Sequence, residues 1–235
     1  VIDTILFQEA TDSDYVPGIV AGTFDVAAPS ISDATLLAIK DANSNKDLVG
    51  DTLTTYLVDY RGYGYIGINA NLANVGGDPA SDASKNLRKG IMTVLSVYRE
   101  TVINSYYGDR ASVIQYPISN TSWAAPQPTD VGYQIAYSRD VNGNPIYDAS
   151  MNDEQKYEAA LQAAVGFFQA AGYTWDGSKF TAAPEGAKMV YEFLVPGSGE
   201  QDHPAYGIAV GASEALEKIG ITLMVNDCTS TTWNN

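Results

Sequence analysis

The sequence has least of the residues that build covalent and metal frameworks. Of 235 residues, one is cysteine (Cys228) and one is histidine (His203). A single thiol closes no internal disulfide and leaves no cysteine cluster for a metal. A single imidazole excludes sites built on two or three histidines. Bases are scarce as well: Lys and Arg total 13 against 28 Asp and Glu, a net charge of −15. Nucleic acids and anionic membrane surfaces are held by basic patches, so a chain this acidic is matched to neither. No apolar run approaches the roughly 18 residues of a membrane span. The chain opens on Val1 with a strand-like VIDTILF and no signal-peptide pattern, which reads as a processed N-terminus or a piece of a longer protein.

What is present is a foldable, mixed pattern. At 45% hydrophobic, the chain has the material for a sizeable core and not the composition of a disordered one. Strands are expected at 1–7, 24–28, 53–59, 63–69, 188–195 and 221–225, with Arg61-Gly62 as a turn between the third and fourth. Helices are expected over 11–22, with Pro17 near the start, and from Asp33 to about Asp41, capped by Ser30 or Ser32. Leu87, Ile91, Val94, Leu95, Tyr98 and Val102 fall at helical spacing, with Gly108 as the stop. Asn152 caps a helix from Asp153 to Ala171, and Pro204 opens another to about Lys218. The order strand, loop, helix, strand over 188–225 is a βαβ unit. The fold class is therefore α/β, a mixed sheet flanked by helices in a single lobe over 1–235. An irregular excursion occupies 111–150, where Pro117, Pro126, Pro128 and Pro145 fall. The strands at 1–7, 24–28, 188–195 and 221–225 are expected in one sheet.

Several motifs lose their chemistry in context. Gly62-Tyr63-Gly64-Tyr65-Ile66-Gly67 matches G-x-G-x-x-G, but the run continues as strand where a nucleotide site needs a helix. Asp140-Val141-Asn142-Gly143-Asn144 lacks the glycine and glutamate of a calcium loop and reads as a tight turn. Asn120-Thr121-Ser122 is a formal glycosylation sequon of little weight. Ser198 lies between Gly197 and Gly199, yet a hydrolase elbow needs glycine where Pro196 and Glu200 stand. Nothing calls for a metal or cofactor.

The site follows from topology. Ligands of open α/β sheets sit beyond the carboxyl ends of the strands. The loops Gln8–Asp14, Pro29–Asp33 and Pro196–His203 leave such ends. The last adjoins the helix at Pro204, whose backbone N–H groups suit an anionic or carboxylate group. Ser198, Asp202 and His203 supply polar side chains there. Trp123 and Tyr206 are the aromatics placed to stack on or wall in a ligand, with packing as the competing explanation. Asn69, at the end of the 63–69 run, completes the ligand-facing set.

Across its whole length the chain resembles the C-terminal lobe of the solute-binding proteins of oligopeptide and dipeptide ABC importers (bacterial family 5). The likeness rests on short motifs in order: VIDTILF with Ala21-Gly22-Thr23-Phe24-Asp25-Val26-Ala27; Gly64-Tyr65-Ile66-Gly67-Ile68-Asn69; Leu87-Arg88-Lys89 through Tyr98-Arg99-Glu100 and Val102; Tyr116-Pro117-Ile118-Ser119 with Ser122-Trp123-Ala124; Ala170-Ala171-Gly172-Tyr173; and Gly220-Ile221-Thr222-Leu223. The resemblance implies a periplasmic-binding-protein-like lobe with no enzymatic activity. It also implies a role in capturing peptides outside the membrane and passing them to a permease, with the ligand clamped between two lobes. The expected partners are a peptide, the N-terminal lobe of the same protein and the permease. The expected location is the periplasm or the cell surface as a lipoprotein. The chain departs from the family in two ways. It ends before the tryptophan and aspartate that grip the peptide's amino terminus, and it shows no arginine after the 188–195 strand. Two alternatives stand beside this reading: a small serine hydrolase using Ser198 and His203, and a surface interaction domain that has lost transport.

Overall fold

The structure, a computed structural model, describes residues 2–29, 31–197, 199, 201 and 203–229. It is a mixed α/β chain with six α-helices and two small sheets among those residues. The chain divides into two compact units, Val1–Tyr60 with Asn104–Ala111, and Arg61–Ile103 with Ser112–Asn235.

The first unit is built on α1 (Asp12–Val20) and α2 (Asp33–Ala42). Asp14 starts α1 by accepting from the Thr11 N–H (3.1 Å) and hydroxyl (2.6 Å). Ser32 caps α2 by accepting the Thr35 N–H at 3.2 Å. Leu36 and Ile39 of α2 meet Leu53 in a small core, against which Val16, Ile19, Ala42 and Leu48 pack. The polar loop after α2 is organised by Asn43, which is 1% exposed. Its amide donates to the carbonyls of Asp47 (2.8 Å) and Leu53 (3.0 Å) and accepts from the N–H groups of Leu53 (2.8 Å) and Thr52 (3.2 Å). A buried amide with both ends paired costs little and fixes the loop.

The second unit holds the main core. Helices α3 (Asp82–Val97), α5 (Asp153–Ala170) and α6 (Pro204–Lys218) bury Leu87, Val94, Leu95, Phe168 and Leu216 almost completely. Between α3 and α5 runs α4 (Arg99–Tyr107), and a 3-10 turn follows at Gly108–Arg110. A short antiparallel pair, β1 (Thr174–Trp175) and β2 (Phe180–Ala182), closes over Phe168. Strands β3 (Val190–Val195) and β4 (Thr222–Asp227) are parallel, in register from Val190 opposite Thr222 to Val195 opposite Asp227. The sequence β3–α6–β4 is thus a βαβ unit, with α6 packed on β4.

Four expectations need correction. The single mixed sheet is two separate pairs, of which only the strands at 188–195 and 221–225 join. The runs at 1–7 and 24–28 form no strand among the described residues, and Ile2, Leu6 and Phe7 are 81%, 84% and 92% exposed. Branched and aromatic residues favour extended backbone, but a strand also needs a neighbour, and no ladder forms there. The runs at 53–59 and 63–69 form no hairpin, and Arg61-Gly62 is not a turn. Among the described residues the first run is paired only near its start, by the isolated bridge of Val49 with Thr54 and the Thr55 N–H donating to the Leu48 carbonyl at 2.9 Å. Pro17 lies inside α1, where its missing N–H removes a helical bond from the last turn. The β1–β2 hairpin was not expected. Its signal is Asp176-Gly177, and Asp176 Oδ1 accepts the N–H groups of Ser178 and Lys179, both at 2.8 Å.

Candidate functional site

Of the three loops expected at strand carboxyl ends, only Pro196–His203 follows a strand, because the runs before the other two are unpaired. The β3–β4 pairing continues one rung beyond the strands, with the Cys228 N–H donating to the Val195 carbonyl at 2.8 Å. Helix α6 follows in the chain, with Pro204 in the first helical position, where no N–H is needed. His203 is the cap: its Nδ1 accepts the Ala205 N–H at 3.1 Å, and its carbonyl accepts the Tyr206 N–H at 2.9 Å. An Nδ1 that accepts keeps its lone pair, so the proton of the neutral ring sits on Nε2. In that tautomer the ring has no second lone pair with which to take a proton from a serine.

The centre of this end of the sheet is a residue the sequence reading did not single out, Asp227. It stands last in β4, and its Oδ2 accepts the Gln201 N–H at 2.7 Å. Burial raises the Asp227 carboxyl, but the N–H groups of Gln201, Gly199 and Gly197 outweigh it, with help from His203, and hold the group below the ordinary carboxylate range. Gly197 is required for this approach, since a Cβ there would lie 2.6 Å from Asp227 Oδ1. Gln201 takes a left-handed backbone (φ 57°), which aims its N–H back at the carboxylate. The loop amides therefore close on an internal anion. The signal that finds Asp227 is an acid at the carboxyl end of a parallel strand whose partner strand runs into a glycine-rich loop.

Ser198 and Asp202 lie outside the described residues. Tyr206 is half-buried on the first turn of α6. Asn69 is a turn-former: its Oδ1 accepts the Asn71 N–H at 3.0 Å, and its carbonyl accepts from Leu72 (3.0 Å) and Ala73 (2.9 Å). Trp123 is 98% exposed on a turn. A cavity of about 280 Å³ nearby in sequence is lined by residues including Ile114, Tyr116, Pro126 and Tyr133, but not by Trp123. Among the described residues no hydrogen bond or ring contact ties Asn69 or Trp123 to the 196–203 loop.

Two further clusters lie in the same unit. A groove of about 310 Å³ has Ile66, Ile68 and Met92 on its apolar surface and Lys85, Arg88, Lys89 and Tyr137 at its polar margin. Arg88 donates to the carbonyls of Ala73 (3.0 Å) and Pro79 (2.7 Å), which pins the loop before α3. Near the start of α4, Arg99 donates to the Ser96 carbonyl at 3.2 Å. Burial lowers its pKa, partly opposed by Tyr137 and Tyr147. Burial pushes the Tyr147 phenol up to about 12, with Arg99 pulling the other way, and its hydroxyl is buried without a hydrogen-bond partner.

Among the described residues no group of three or more His, Cys, Asp or Glu is placed to hold a metal, and no helix is long and apolar enough to cross a membrane. No family model, curated protein or solved structure matches the chain.

Proposed function

We propose that this chain is a periplasmic-binding-protein-like lobe of the substrate-binding component of an ABC importer, which captures peptides outside the membrane and hands them to the permease. The observation that carries the reading is the β3–α6–β4 unit, whose parallel strands end at a glycine-rich loop and a helix N-terminus, the place where open α/β folds receive ligands. The ordered motifs along the chain support it. The net charge of −15 suits a freely diffusing extracytoplasmic capture protein and disfavours nucleic acid and anionic membrane surfaces. The lobe contributes binding and no catalysis. His203 serves as a helix cap whose Nδ1 is taken by Ala205.

A clamp of two lobes buries most of its ligand, so one lobe offers about half of that contact. Each loss of about 1.4 kcal/mol weakens binding tenfold. The chain alone should therefore bind a mixed pool of short peptides weakly, in the millimolar to high-micromolar range, with amide NMR shifts at 197–203 and Asn69. Submicromolar binding by the chain alone would remove the two-lobe model. Absence of any shift at millimolar peptide would remove peptide capture. Ester turnover that disappears in Ser198→Ala would turn the assignment to a hydrolase.

A further inference from the structure

Residues 61–68 form no helix, turn, bend or strand, and none of their backbone N–H or C=O groups is hydrogen-bonded to a described residue. From Tyr65 to Asn69 burial nevertheless alternates as in a half-buried strand. Ile66 and Ile68 pack against the main core, while Tyr63 and Tyr65 are 45% and 84% exposed. This row is largely solvent-exposed, so its backbone groups are free to pair with an incoming extended segment, as at an open strand edge. Beside this row lies the groove over Ile66, Ile68 and Met92. Its margin is positive in a chain that is otherwise acidic: Lys85, Arg88 and Lys89 are three of only 13 bases and fall within five positions.

We propose that residues 61–69, which join no sheet among the described residues, pair with an extended, glutamate-bearing peptide as a strand partner, its carboxylates meeting Lys85 and Lys89. The proposal rests on the peptide-capture reading above and names the class of peptide. Spacing supports it. Lys85 and Lys89 are one helical turn apart on α3, with Cβ atoms about 6 Å apart. Side chains two apart on one face of a strand are separated by about 7 Å. Glutamates at i and i+2 therefore match the two ammonium groups, while their methylene stems lie over the isoleucines and Met92. Lys85 is held only by an exposed contact with Asp82 at 3.4 Å, and no hydrogen bond or ion pair engages Lys89 among the described residues. Arg88 adds charge while its donors hold the 73–79 loop. Tyr137, at the same margin, takes a left-handed backbone (φ 57°), an uncommon state for a bulky residue of the kind found at ligand clamps.

The test is an amide NMR titration of the chain with a hexapeptide alternating Glu and Val, compared with one alternating Lys and Val. The expected result is shifts and slowed hydrogen exchange at 61–68 with the Glu peptide, and binding at least tenfold weaker for the Lys peptide. Lys85→Gln with Lys89→Gln, shown folded by an otherwise unchanged spectrum, should cost the Glu peptide a similar factor. N-methylating one alternate set of the peptide's amides should abolish binding, and methylating the other set should not. Peptide shifts confined to 197–203, or equal binding of the two peptides, would overturn the inference and leave the capture reading standing. No shift with any peptide would overturn both.

Discussion

At the scale of single residues, Asp227 organises the candidate site, and Tyr147 in the same unit carries a buried hydroxyl without a hydrogen-bond partner among the described residues. Asp227 replaces solvent as the acceptor for the Gly197, Gly199 and Gln201 amides. Asp227→Ala should speed hydrogen exchange at Gln201 and broaden the 197–201 resonances while the β3–β4 rungs stay protected; an unchanged loop would contradict the assignment. The pH dependence has the same origin. The folded group titrates below its unfolded value, so its contribution is intact above about pH 4 and is lost as pH falls through the folded pKa. Acidification of the wild type below about pH 4 should reproduce the loosening seen in the alanine variant. Tyr147 behaves in the opposite sense. Its buried phenol titrates near 12, so its contribution is present below the unfolded value of about 10 and falls as pH rises through 12. Tyr147→Phe removes an unpaired buried hydroxyl and should leave stability unchanged or raise it by about 1 kcal/mol, read from urea midpoints. A loss above about 1 kcal/mol would mean that the hydroxyl has a partner.

At the scale of elements, the helices were legible because their signals are local. Ser32, Asn152 and Pro204 announce the starts of α2, α5 and α6, and the apolar spacing from Leu87 to Leu95 announces α3. The strands were legible only where a partner exists. The runs 188–195 and 221–225 pair across α6, whereas VIDTILF has equal strand propensity and no neighbour. Pairing is a property of two distant segments, and one segment's composition does not carry it. The same reason hid Asp227. Its role depends on a loop 26 positions earlier in the chain. The α3–α5 contact makes a quantitative prediction. A Cβ at Gly90 would lie 3.1 Å from a ring carbon of the fully buried Phe168, so the two helices meet at the distance a glycine allows. Gly90→Val should destabilise by about 1–3 kcal/mol through overpacking. Phe168→Ala should cost about 3–5 kcal/mol through the cavity it leaves. Denaturant midpoints measure both, and a neutral Gly90→Val would contradict the close packing.

At the scale of the whole molecule, the two units differ in what holds them. The first has Leu36, Ile39 and Leu53 as its buried apolar residues, and the second has a continuous core from Leu87 to Leu223. Hydrogen exchange should accordingly be slow in α3, α5, α6 and β3–β4 and fast over 2–9 and 61–68, whose backbone groups have no hydrogen-bond partner among the described residues. Protection of residues 2–7 in the isolated chain would show that this segment has found a strand neighbour.

The central claim is that the second unit is a wall of a peptide-binding cleft. Photo-crosslinking tests it most directly, with a short acidic peptide carrying a benzophenone side chain and the attachment points read by mass spectrometry. The account predicts crosslinks concentrated at 61–69 and 196–203 and competed away by the unlabelled peptide. Crosslinks that resist competition, or that fall outside both segments, would contradict it.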